Sequence, residues 1–182
     1  MNTPSYDDVQ KVREKLQESS FDHWVQDDVF ALAWWILFFS TILPYVLWWK
    51  IVDKTNLFEI VAFGLLCAVL ACFLDLIGVS LGLWGYPDKL ISIIPPLIPA
   101  DLIVIPVGSM IVYQYSSSWF SYILRYAIFA ILLAYVIEPL FTLLDIYESY
   151  KWWNHTSSFV GLLLFGISIR AFIGFLKKQH QS

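Results

Sequence analysis

The chain has 182 residues, of which 59% are hydrophobic, 18% aromatic and only 14% charged, whereas a soluble domain carries about 25% charged residues. That balance, a mean hydropathy of +0.67 and several apolar runs of about 20 residues describe an integral membrane protein. The net charge of −4 comes mostly from the first 28 residues, which hold seven of the fifteen acids, and no basic patch interleaved with aromatics appears, which excludes nucleic acid as an expected partner.

The first segment, residues 1–28, is polar. It lacks the basic and then apolar pattern of a cleavable signal peptide, so none is expected. Tyr6, Val9, Val12 and Leu16 recur at helical spacing, which predicts a short amphipathic helix lying on the membrane, against the bundle or in solvent. A five-helix transmembrane domain is expected over residues 29–176, followed by a short basic tail at 177–182. The overall class is all-α, a compact polytopic bundle. Its spans are read at about 29–49, 57–83, 93–115, 119–146 and 157–176. Trp34, Trp35, Trp48, Trp49, Trp84, Trp119, Trp152 and Trp153 fall mostly near segment ends, as an interfacial aromatic belt does. Lys50, Lys54, Lys177 and Lys178 share one face, which favours a cytoplasmic C-terminus. Cys67 and Cys72, inside one apolar run, read as small buried hydrophobes and not as a disulfide.

The third span is the least regular. It contains Pro95, Pro96, Pro99 and Pro106 together with Asp101, although proline breaks helices and an intramembrane aspartate costs about 3 kcal/mol on insertion scales. Pro95, Pro96 and Pro99 fit the opening turn, so the expectation is a late-starting helix with one kink at Pro106.

Polar residues in the spans are patterned. In the second span Gly64, Ala68, Ala71, Asp75, Gly78 and Gly82 form a small-residue stripe, which lets helices approach closely and turns Asp75 toward protein. In the fourth, Tyr135, Glu138, Thr142 and Asp145 make a polar stripe; in the fifth, Gly166, Arg170 and Gly174 share a face. At 1.5 Å per residue, Asp75 lies roughly 13 Å below Trp84, Glu138 roughly 13 Å below Tyr147 and Asp101 roughly 8–12 Å inside its span. Three carboxylates from three helices therefore occupy one half of the bilayer. Arg170 lies deeper, or reaches the opposite interface.

Carboxylates crowded in a low dielectric cannot all ionise, so at least one is expected to carry a proton near neutrality. Ionisable groups in spans line pathways, relays or ligand pockets. They also hydrogen-bond helices together, and that alternative stays open; for Asp101, helix capping after Pro99 is a further one. His23 and His155 lie on the carboxylate face, but no HxxxH or ExxH spacing accompanies them, so no metal site is expected. No nucleophile elbow or glycine-rich phosphate loop appears, and no cofactor is expected.

Through "GLWGYP", "IPADLIVIPVGSMIVYQY", "IYESYKWWNHTSSF" and, at the first span, "HWVQDDVFALAWW", the chain resembles a family of small, uncharacterised multi-pass membrane proteins of spore-forming bacilli and clostridia. The similarity covers roughly residues 21–175. It implies a Gram-positive cell-membrane address and no particular reaction. A looser architectural likeness links it to small helical folds with intramembrane carboxylates, such as carotenoid cyclase subunits.

Three functions are compatible with these features. The first is a binding or transport module for a small ligand, cation or proton. In it Asp75, Asp101 and Glu138 hold the ligand, Tyr135, Thr142 and Arg170 are further candidates, and Trp84 and Tyr86 shape the mouth. The second is a structural or partner-binding membrane subunit, which contacts a membrane-protein partner or another copy of itself. The third is an enzyme acting on a lipid or isoprenoid through a buried carboxylic acid.

Overall fold

The computed structural model describes residues 3–181; Met1, Asn2 and Ser182, at the ends of the expected N-terminal segment and basic tail, lie outside them. Helix α1 spans Tyr6–His23 and passes into a π-helical turn, Trp24–Asp28. Ser5 and Asp8 form a reciprocal capping box at its start, which satisfies two backbone donors that a helix N-terminus leaves free. No residue of α1 is buried. The Tyr6–Val9–Val12–Leu16 stripe therefore faces away from the bundle.

Among the described residues four helices are long and apolar enough to cross a membrane: α2 (Leu32–Ile51), α3 (Leu57–Ser80, with a 3₁₀ lead-in from Lys54), α5 (Trp119–Leu143) and α6 (His155–Gln181). The expected third span is shorter. Helix α4 runs Pro99–Gln114, because the prolines at 95 and 96 hold the preceding residues in turns and Pro99 takes the first helical position, where its missing N–H is no loss. Its six π-helical and ten α-helical residues make about 24 Å of helix, against roughly 30 Å of hydrocarbon.

Helix α4 lies antiparallel on α3. Tyr113 donates to Glu59 at 2.5 Å, Met110 fills the space that Gly64 leaves, and the N–H of Leu97, just before α4, reaches Asp75 at 3.2 Å. Five of the six stripe residues (Gly64, Ala68, Ala71, Asp75 and Gly78) are buried. Gly82 instead sits past the helix end at φ 63°. The main core joins α3 to α6 through Phe63, Cys67, Val107, Met110, Tyr122, Tyr126 and Ile169. Its tyrosines are satisfied: Tyr126 shares a 2.9 Å hydrogen bond with Ser109, and Tyr122 donates to the Gly166 carbonyl at 2.8 Å. A smaller cluster of Ala33, Leu37, Leu97 and Ile146 closes the end where loop 81–98 and loop 144–154 meet. There a two-residue antiparallel pairing, Trp84 to Ser149 and Gly85 to Glu148, fastens one loop to the other.

Candidate functional site

The end of α3 builds the site. Gly82 N–H donates to the Val79 carbonyl at 2.9 Å and Leu83 N–H to the Gly78 carbonyl at 3.0 Å, a Schellman turn that needs the positive φ of Gly82. The turn folds Trp84 back over the last helical turn. A Cβ at Gly78 would stand 1.9 Å from the Trp84 ring, so only glycine admits the indole there. From that seat Trp84 Nε1 donates to Asp75 Oδ1 at 2.5 Å, and Tyr86 Oη donates to the same oxygen at 2.6 Å. With Leu97 N–H on Oδ2, Asp75 accepts three hydrogen bonds while only 6% exposed.

Asp101 stands against this carboxylate. It lies in the π-helical turn that opens α4, is 4% exposed, and comes within hydrogen-bonding reach of Asp75. Its Oδ2 is buried without a hydrogen-bond donor among the described residues. Burial and the two nearby carboxyls push the Tyr86 phenol well above its ordinary range, so Tyr86 stays a donor. Lys89 sits near enough to feel both Asp28 and Asp75, yet burial lowers its pKa from the ordinary lysine value.

Glu138 goes elsewhere. Its Oε2 lies 3.0 Å from His155 Nδ1, and Tyr147 is near enough to feel both Glu138 and Asp75. Tyr135 and Glu138 of the polar stripe both reach the start of α6, away from Asp75. Tyr135 is exposed and bonds Thr156 at 3.0 Å, and Thr142 is exposed and bonds back to the Glu138 carbonyl at 3.1 Å. The π-helical turn Leu133–Ile137 changes the residues per turn and rotates the remainder of the helix.

Arg170 belongs to the opposite end. Its guanidinium lies 4.3 Å from the Tyr122 ring and 5.1 Å from that of Trp119, and its Nη1 is buried without an acceptor among the described residues. It lines a cavity of about 420 Å³ with Glu59, Gln114 and Lys177. The structure thus gathers Asp75, Asp101, Trp84 and Tyr86, and leaves Glu138, Tyr135, Thr142 and Arg170 outside that group. The Leu97 N–H and Tyr147 are additions that sequence reasoning does not supply; a backbone donor has no sequence signature, and Tyr147 is placed only by the pairing of the two loops.

The chain is a polytopic helical membrane protein with a few buried carboxylates, four of its helices being long apolar span candidates. No family model, curated protein or solved structure matches it.

Proposed function

We propose that the chain is a small membrane binding or transport module whose Asp75–Asp101 pair holds a proton. The observation that carries this is the asymmetry of the pair. Three donors converge on Asp75, while a buried oxygen of Asp101, beside it, has none. Two facing carboxyls in a low dielectric cannot both be charged, so one proton between them completes the arrangement. A metal or sodium ion fits less well, because the N–H and O–H hydrogens around Asp75 point where the cation would sit. Trp84 and Tyr86 position the anion and cover it. Proton exchange then requires loop 81–98 to lift.

The short helix α4, with residues 93–98 before it, completes a fifth crossing in this reading. The lysines at 50, 54, 177 and 178 support a cytoplasmic C-terminus, and the family resemblance supports a Gram-positive cell membrane. A second reading, the pair as a structural clasp, is favoured by one observation: all three donors to Asp75 come from the loop that the pair holds down.

Infrared difference spectra of the purified protein test the proposal. A protonated carboxylic-acid carbonyl band, shifted by deuterium, is expected and should vanish in Asp101→Asn. Its absence from the wild type would sink the proton assignment. In vesicles with an entrapped pH dye, wild type should dissipate an imposed pH gradient faster than Asp101→Asn. Equal rates, with the band present, would favour the clasp.

A further inference from the structure

A second group of ionisable side chains gathers where the N-terminal segment meets loop 81–98. His23 ends α1, Asp28 ends the π-helical turn after it, and Asp88 lies on the loop. One ligand-capable atom from each lies within 4.8 Å of the other two. The wider π turn brings residues five apart onto one side, which is how His23 and Asp28 come to face each other.

The hydrogen bonding around these atoms is incomplete in a specific way. His23 Nδ1 lies 3.1 Å from Asp27 Oδ2, and Nε2 lies 3.5 Å from Asp28 Oδ1. When the Nδ1 N–H donates to Asp27, Nε2 is available to coordinate an ion, the arrangement found behind metal-bound histidines. Asp28 is 2% exposed. Its Oδ2 accepts from the Lys89 N–H at 2.9 Å, but its Oδ1 has no hydrogen-bond partner among the described residues. A buried carboxylate oxygen thus faces an imidazole nitrogen 3.5 Å away and a second carboxylate, an arrangement that positive charge stabilises, whether a bound cation or a proton on the ring. Asp27 and Asp145 add negative charge around Asp88. Among the described residues, Lys89 makes no ion pair with any of them.

We propose that His23 Nε2, Asp28 Oδ1 and a carboxylate oxygen of Asp88 bind a divalent transition-metal cation of the zinc or manganese class. One imidazole nitrogen and two carboxylate oxygens form a donor set suited to such ions, and three protein ligands leave coordination positions for water. His23 is half exposed, which gives the ion a way in. The ligands come from separate elements, so the sequence shows no metal-binding spacing. Bound there, the cation staples the N-terminal helix to the loop that carries Trp84 and Tyr86.

Calorimetric titration of the full chain in detergent, stripped of metal with EDTA, tests this with Zn²⁺, Mn²⁺ and Mg²⁺. About one equivalent of Zn²⁺ or Mn²⁺ should bind. His23→Ala and Asp88→Asn should each weaken binding at least tenfold, and Glu148→Gln, an exposed carboxylate on the same face, should leave it unchanged. His23 and Asp88 are chosen because Asp28 also holds the loop backbone and its replacement risks misfolding. No uptake by the wild type, wild-type affinity in His23→Ala, or equal weakening in Glu148→Gln would overturn the site. Equal affinity for Mg²⁺ would overturn the transition-metal assignment.

Discussion

At the scale of single residues, what position 78 lacks matters as much as what position 75 carries. Alanine is ordinarily the better helix former, so Gly78→Ala would stabilise an unconstrained helix. Here the added methyl meets the Trp84 ring at 1.9 Å. The expected outcome is destabilisation by about 1–3 kcal/mol, read as a lower midpoint of thermal unfolding in detergent together with a shift in tryptophan emission as the indole leaves Asp75. A stabilised variant would show that the close seat of Trp84 is not required. Asp75 itself is legible in the sequence, since it lies on a stripe of small residues that only a protein-facing surface explains. Asp101 is legible from its depth. The buried Asp28 carboxylate is not, because its burial depends on where loop 81–98 settles, and no local pattern encodes that.

At the scale of elements, prolines and π turns work together. Pro106 leaves the Leu102 carbonyl, four residues earlier, without a helical N–H. Tyr45 of α2 donates to that carbonyl at 2.9 Å, so a defect in one helix becomes a contact between two. Tyr45→Phe should cost about 0.5–1 kcal/mol, and the loss should disappear in a Pro106→Ala background, where the helix supplies its own donor. Equal losses in both backgrounds would refute the coupling. The same kind of irregularity stands just before Glu138: Leu133–Ile137 is a π turn, which shifts the register of the residues beyond it and has no reliable sequence mark. Helix α1 carries a pH signature of its own. Backbone and side-chain hydrogen bonds from Ser5 hold the Asp8 carboxyl below its ordinary value of 3.8. The capping box is therefore intact above about pH 4 and is lost as pH falls through the depressed value. Amide exchange in the first turn of α1, corrected for its intrinsic pH dependence, should accelerate on that descent, and Asp8→Asn should lack the step.

At the scale of the whole molecule, the two ends of the bundle differ in kind. One end gathers carboxylates beneath closed loops, and the other opens a cavity lined by Arg170, Lys177 and Glu59. Composition and aromatic placement make the membrane class and most helices legible. They leave the length of α4 undetermined, because a run of prolines and apolar residues fits a span and a loop equally well. Single cysteines at Ile93 and Ser117, with Cys67 and Cys72 replaced by alanine, should react with a membrane-impermeant thiol reagent from opposite sides. Labelling from the same side would leave four crossings and make α4 re-entrant. The hydrogen bonds of Asp75 also bear on how such a chain is made. Its donors lie 9, 11 and 22 residues downstream, so during synthesis the aspartate reaches the bilayer before any partner is present. Released alone, α3 would carry a penalty of about 3 kcal/mol into lipid. Helices α3 and α4 are therefore suited to leave the insertion machinery as a hairpin, held back until the Leu97 N–H has arrived.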